Sequence, residues 1–317
     1  MKNSRDKALV SVIIPTRNEA DALDKLLKSL SRQTYKNYEV IVVDGGSTDG
    51  TIDVAKKHGA KVIKEYGRYR SPANARNIGV EKTKGDIKAV LDCDSEVNEI
   101  FLEEGVKAFS SEKIIGVRCS YILVKDTIIE KILASKIEAH EKMIHGTAPH
   151  MFIHPTFTRK GFIEKVGGWD ASLGYGEDRD LAERITDYND RHKKQLIKNA
   201  PKAVIKAHLP HTISELVSQQ RWYGRTILHY LRKINSIKEY LSLLKVLYIL
   251  VPIALLTSSW LLVPAIPVIL LSLYRTVEAV VMGNLYGLAI FPMNVIMSFP
   301  FAYGLIESIF RKGRGRD

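Results

Sequence analysis

Two long stretches without a single charged side chain decide how this chain can fold. One runs from Val246 to Tyr274, 29 residues, and the other from Ala279 to Ile306, 28 residues. About 20 apolar residues cross the hydrocarbon core of a bilayer as a helix. The pattern predicts a soluble domain at 1–210, amphipathic interface helices at 211–243, a transmembrane region at 244–310 and a basic tail at 311–317. One span per stretch is the simplest arrangement. As one straight helix the first stretch would measure about 44 Å, against a hydrocarbon core of about 30 Å. Pro252, Pro264 and Pro267 are therefore expected to kink it or to fold it into a re-entrant hairpin.

Charge orients the chain. Arg221, Arg225, Arg232, Lys233, Lys238 and Lys245 precede the first stretch, and Arg311-Lys-Gly-Arg-Gly-Arg316 follows the second. Under the positive-inside rule both flanks are cytoplasmic, which places the protein in the cell membrane with its soluble domain in the cytoplasm. The formal net charge of +12 suits an anionic bilayer surface or a phosphorylated ligand. No nucleic-acid-binding module is recognisable, so nucleic acid is not expected as a partner. Two cysteines, Cys93 and Cys119, fit a reducing compartment rather than a disulfide framework. The early apolar run from Ala8 to Ile14 is too short for a signal-peptide core and fits a first strand.

The soluble part alternates strand and helix. Leu9-Val-Ser-Val-Ile-Ile14 is continuous and rich in β-branched residues, as a strand buried on both faces should be. It stops at Pro15-Thr-Arg-Asn-Glu19, after which Ala20, Leu23, Leu26, Leu27 and Leu30 recur at helical spacing. Tyr38-Glu-Val-Ile-Val-Val43 ends in the turn Asp44-Gly-Gly-Ser-Thr-Asp-Gly50, and the helix that follows closes near Gly59. Lys61-Val-Ile-Lys64 reads as a short third strand. Pro72 opens another helix at a first-turn position, leading to a strand that ends in Asp92-Cys-Asp94. This alternation predicts an α/β fold with a mainly parallel sheet flanked by helices, in which ligands collect at the carboxyl ends of the strands. Pro15 to Glu19, Asp44 and Asp92 to Asp94 all fall at such ends.

The chemistry of those ends describes a nucleoside diphosphate site. Asp44 can accept hydrogen bonds from a base or ribose or can cap its own turn. Arg76 can pair with a phosphate oxygen or close over a base. Asp92 and Asp94 leave their strand on opposite faces, so one can meet a sugar hydroxyl and the other a hard cation, Mg²⁺ or Mn²⁺, that keeps part of its shell for phosphates. No Gly-rich dinucleotide fingerprint and no P-loop follows the first strand.

Five ordered motifs then carry a resemblance. Val12-Ile-Ile-Pro-Thr-Arg-Asn-Glu19, Val42-Val-Asp-Gly-Gly-Ser-Thr-Asp49, Ala73-Asn-Ala-Arg-Asn-Ile-Gly79, Leu91-Asp-Cys-Asp94 and the pair Gly167-Gly-Trp-Asp170 with Gly176-Glu-Asp178 resemble a family-2 glycosyltransferase with the GT-A fold over residues 8–225. The resemblance implies that Pro15, Thr16, Glu19, Asp44 and Arg76 line the donor pocket. It implies further that Asp92 faces ribose or the metal, and that Asp94 coordinates the metal. By the same resemblance Asp178 is the catalytic base and Glu177 helps position the acceptor or donor, while Asp180 belongs to the helix. Related polysaccharide synthases carry Gln-x-x-Arg-Trp, which suggests acceptor or diphosphate contacts for Arg221 and Trp222. Here Ser218 replaces the Gln, which counts against processive synthesis.

The expected function is metal-dependent, inverting transfer of a sugar from a nucleoside-diphosphate sugar to a membrane-associated, lipid-linked glycan. The alternatives are a polyprenyl- or dolichyl-phosphate sugar synthase and an inactive nucleotide-sugar-binding membrane subunit. Residues 213–231 read as an amphipathic helix on the membrane or as an ordinary helix packed on the catalytic domain. His140, His145, His150 and His154 lack zinc spacing and take no role, and His208 reads as a lone histidine.

Overall fold

The computed structural model describes residues 8–145, 155–192, 196–234, 241–252, 263–281 and 284–310. The expected tail at 311–317, His150, His154 and the side chains of His140 and His145 lie outside the described residues. The chain divides into two compact units: one reaches to Ile122 and continues from 155 to Ala207, and the other holds 123–145 and the described residues from His208 onward. The 123–145 segment thus leaves the soluble domain expected at 1–210.

The first unit is a helix-flanked sheet. β1 (Val10–Thr16) is buried along its whole length, because it pairs on both sides, parallel to β2 (Tyr38–Asp44) and to β4 (Ile87–Val90). β3 (Lys61–Lys64) extends the parallel part beside β2. The eight-stranded order is β3-β2-β1-β4-β7-β6-β8-β5, with β5 (Ser95–Val97), β6 (Ile114–Leu123), β7 (Phe157–Arg159) and β8 (Leu196–Ala207) completing it. The expectation of a parallel sheet holds for the first four strands. Past β4 the pairing reverses: β7 is antiparallel to both β4 and β6, and β5 is antiparallel to β8. Alternating strand and helix signals stop after Asp94, so nothing in the sequence forces a parallel continuation.

Helices cover both faces of the sheet. On one face α1 (Ala20–Ser31) buries Leu23, Leu26, Leu27 and Leu30 in a core shared with α4 (Phe101–Ala108) and Phe157. On the other, α3 (Pro72–Lys82) and α7 (Glu177–Arg191) pack with Trp169 over Ile13 and Val90. Each fully buried aliphatic side chain contributes about 1.5–3 kcal/mol. α2 (Thr51–Lys57) ends before Gly59, whose φ of 73° is the left-handed value expected of a residue closing a helix. The short helix α6 (Phe162–Lys165) follows β7. α3 lies close to β1, because a Cβ on Gly79 would sit 2.2 Å from Ile13 Cγ2.

The second unit is helical. It contains α5 (Ile128–His145), α8 (Ile213–Ile234), a 3₁₀ segment Leu241–Ile249, α9 (Ile266–Val281), a second 3₁₀ segment Leu285–Ala289 and α10 (Ile290–Phe310). Two of its stretches, Val263–Val281 and Leu285–Ile309, are long and apolar enough to cross a bilayer. The first does not follow the charge-free run at 246–274. It starts near Pro267, which presets the first helical turn, and continues through Arg275 and Glu278. Ile266, Leu270, Leu273 and Val277 are 46, 60, 46 and 60% exposed, a surface that water would not tolerate as one patch. α8 packs along α10, the tightest point being Gly224 against Gly304, where an added Cβ would meet backbone atoms at about 2 Å. This packing lies within the helical unit.

Gly79→Ala should cost about 1–3 kcal/mol, through overpacking against Ile13, and chemical denaturation of the purified protein measures it.

Candidate active site

Three strand ends and two loops build the site within the first unit. β1 and β2 are in register so that Thr16 lies opposite Asp44, and Leu91 is joined to Ile13 through a backbone bond of 3.0 Å. Parallel pairing therefore brings the segments after Thr16, Asp44 and Leu91 to one edge of the sheet.

The first two loops are tied to each other. Asn18, with φ of 56°, accepts a hydrogen bond from Thr48 N at 2.8 Å and donates its own N–H to Ser47 Oγ at 2.9 Å. Asp44 is buried, and its carboxylate accepts from Gly46 N at 3.0 Å and Ser47 N at 3.1 Å, so it caps its own turn. Glu65 N donates to Asp44 O at 2.7 Å, and the Glu65 carboxylate accepts from Ser71 N and Asn74 Nδ2, both at 2.9 Å. Ser71 caps α3 by accepting from Asn74 N. Thr16 Oγ1 bonds Glu19 and faces Cys93 Sγ, and Pro15 sits buried within β1.

Arg76 is the centre. It stands on the second turn of α3, 7% exposed, with Nη2 2.7 Å from Asp92 Oδ1 and Nη1 3.1 Å from Glu177 Oε1 and 3.6 Å from Asp178 Oδ1. The Trp169 ring centroid lies 5.9 Å from its guanidinium carbon. Burial works against its charge, but Asp178, Asp92 and Glu177 outweigh that and hold it protonated. Its fork is thus engaged by carboxylates. Asp178 also accepts from Trp169 Nε1 at 2.9 Å. Trp169 is fixed in turn by Asn77, which donates to Trp169 O at 2.7 Å and accepts from Trp169 N at 2.9 Å. Asn77 and Trp169 had no role assigned from the sequence, although both stand in the motifs quoted there. Their pairing across 92 positions leaves no local signal.

Negative charge is concentrated here. Asp94 itself is exposed, but desolvation by the surrounding protein pushes its carboxyl up to about 7, with Asp92 and Glu19 adding to the rise and Arg76 opposing it. Burial likewise raises Glu177 to about 7, with Asp178 adding and Arg76 opposing. Among the described residues no group of three or more ligating side chains converges. Asp92 and Asp94 fit a hard divalent cation that completes its shell with phosphates and water. Asp180, in contrast, pairs with Arg184 within α7, at 2.6 Å. Arg221 belongs to the second unit, where Glu307 binds it at 2.6 and 2.8 Å and Tyr303 stacks on it, with Trp222 beside Tyr223. His208 lies 4.0 Å from Glu130 in that same unit.

Arg76→Ala would leave three carboxylates without their cation, so it should destabilise the protein by about 3–5 kcal/mol, read as a lower midpoint in chemical denaturation. Replacing Glu177 by Gln in that background should recover part of the loss.

Residues 11–167 match the family model described as glycosyl transferase family 2. Glycosyltransferase AglE of Haloferax volcanii is 42% identical over 108 residues, 32% of this chain and 35% of its own. The Escherichia coli enzyme UDP-Glc:alpha-D-GlcNAc-diphosphoundecaprenol beta-1,3-glucosyltransferase WfaP is 32% identical over 132 residues, 41% of this chain and 53% of its own. The mannosyltransferase PcManGT of Pyrobaculum calidifontis, solved with GDP-Man and Mn²⁺, superposes with a TM-score of 0.53 at 17% identity, over 95% of this chain and 87% of its own. That last likeness shows the fold, GT-A. The chain spans 35 to 59% of the length of the first relatives it matches.

Proposed function

We propose, from the premise that this chain belongs to the family-2 glycosyltransferases through residues 11–167, that it transfers a sugar from a nucleoside-diphosphate sugar to a lipid-linked glycan at the cytoplasmic face of a membrane. One observation carries the reading. Arg76 gathers Asp92 and the adjacent pair Glu177 and Asp178, from two distant parts of the chain, at the edge of the sheet where Asp44 and Thr16 also end. The relatives named above include one whose acceptor is a diphosphoundecaprenol-linked sugar, and the apolar stretches Val263–Val281 and Leu285–Ile309, long enough to cross a bilayer, would supply its anchor.

The residues divide the work as follows. Pro15, Thr16, Glu19 and Asp44 bound the donor pocket, Asp44 offering its remaining lone pairs to base or ribose. Asp92 and Asp94 would hold Mn²⁺ or Mg²⁺, which would supply positive charge against the leaving diphosphate. Asp178, 31% exposed, takes the proton of the acceptor hydroxyl as that oxygen bonds to the anomeric carbon and the bond to the diphosphate breaks, inverting the centre. Trp169 Nε1, at 2.9 Å, and Arg76 Nη1, at 3.6 Å, meet Oδ1 and fix the carboxylate. Glu177 shares Arg76 and positions the reacting groups. Arg221 and Trp222 are candidates for acceptor contacts, with Arg221 first exchanging Glu307 for a phosphate.

The test is turnover of a panel of UDP- and GDP-sugars by the full chain in detergent, with and without Mn²⁺ or Mg²⁺. One donor should turn over only with metal. Asp94→Ala should abolish that turnover. Asp178→Asn should retain donor binding and lower transfer to a lipid-linked sugar by about 10²–10⁴-fold. Binding of a donor with no turnover by the wild type would indicate an inactive subunit, and unimpaired transfer by Asp178→Asn to a polyprenyl phosphate would indicate a polyprenyl-phosphate sugar synthase.

A further inference from the structure

Arg118 stands in the sheet without a counter-charge among the described residues. It lies on β6, half-buried, and its Nε is buried with no hydrogen-bond partner. Burial lowers its pKa, and no carboxylate among the described residues opposes that. A desolvated guanidinium left unpaired is costly. The contrast with Arg76, which is met by three carboxylates, and with Arg184, which is met by Asp180, is plain.

The register shows which way Arg118 faces. Ala89, Phe157 and Val117 are paired across β4, β7 and β6, and all three join the core under α1 and α4. Side chains alternate along a strand, so Arg118, next after Val117, projects to the opposite face. That face carries α3, α7 and Trp169, the elements that supply Arg76, Glu177 and Asp178. Level with Arg118 across β7 is Val90, two residues before Asp92. β6 and β4 are both antiparallel to β7, so they run the same way and end at the same edge.

Position across the sheet separates the two substrates. Asp44 and Thr16 end β2 and β1, on one side of β4. Arg118 is two strands away on the other side, about 10 Å from β4 at the usual strand spacing. A cation there lies beyond the catalytic carboxylates from the nucleotide, set back from the reacting hydroxyl. We propose that Arg118 binds the phosphate of a lipid-linked acceptor, fixing the acceptor's register so that its hydroxyl reaches Asp178. The assignment rests on the lipid-linked acceptor reading given above, and it names the group by which that acceptor is recognised. The planar fork of arginine matches phosphate oxygens bidentately.

The experiment measures binding of farnesyl diphosphate, farnesyl phosphate and farnesol to the full chain in detergent, with Mn²⁺ and UDP present, for wild type, Arg118→Ala, Arg118→Gln and Arg118→Lys. A charge-assisted hydrogen bond is worth about 1.5–3 kcal/mol, so both neutral variants should bind the phosphorylated probes about 10–100-fold more weakly. Farnesol binding should be unchanged, and Arg118→Lys should fall between. Arg118→Gln keeps most of the side-chain stem and serves if the alanine variant does not fold. Equal affinity of wild type and Arg118→Gln for farnesyl diphosphate overturns the proposal, as does an equal loss for farnesol. Full displacement of the probe by inorganic phosphate at matched concentration would also overturn it, since the ligand would then be a free phosphate. UDP affinity in the same samples separates the two readings. A wild type that does not bind UDP sinks the donor assignment, whereas intact UDP binding with Arg118-independent probe binding sinks this one alone.

Discussion

The site in the first unit depends on one buried cation. The Arg76 charge would be costly to bury at 7% exposure without carboxylates around it, and those carboxylates would repel one another without Arg76 between them. The arrangement fixes more than charge. It joins α3 to the end of β4 through Asp92 and to the start of α7 through Glu177 and Asp178. Trp169 and Asn77 extend the same connection. A cation shared in this way preorganises Asp178 and Asp92, the proposed base and the proposed metal-side carboxylate, together, which is how an active site avoids reorganisation at the moment of reaction.

The donor side rests on backbone geometry instead. Asp44 spends part of its hydrogen-bonding capacity on Gly46 and Ser47, and Asn18 bridges the first loop to the second. Glu65 then ties the second loop to the cap of α3. The chain between Thr16 and Ser71 is thereby cross-linked at several points, the kind of preorganisation that would favour a binding pocket.

The helical unit solves a different problem. Its helices expose apolar side chains outward and keep polar ones between them: Lys136 bonds Asn294, Asn294 bonds Ser272, and Tyr248 reaches both Ser272 and Val268 O. Where no water can satisfy polar groups, they must satisfy one another. Close approach at Gly224 and Gly304 and the Arg221–Glu307 pair hold α8 to α10. Arg275 and Glu278, within α9, show that the charge-free run at 246–274 and the helix do not coincide, because helix boundaries follow Pro267 and packing rather than charge alone.

The sequence by itself determined the parallel half of the sheet and the residues at its edge. Strands of β-branched residues that stop at Pro15, Asp44 and Asp92 carry their own period and their own stop signals, and both are local. It also determined that two stretches are apolar beyond what a soluble domain can hide. Only the tertiary structure decided the antiparallel half, the inclusion of 123–145 in the helical unit, the saturation of Arg76 by carboxylates, and the isolation of Arg118. Each of these depends on which residues meet across tens of positions: Arg76 and Glu177 are separated by 101. Local periodicity encodes how a segment bends and which face it buries, but a charge finds its partner, or fails to, only when the chain has closed.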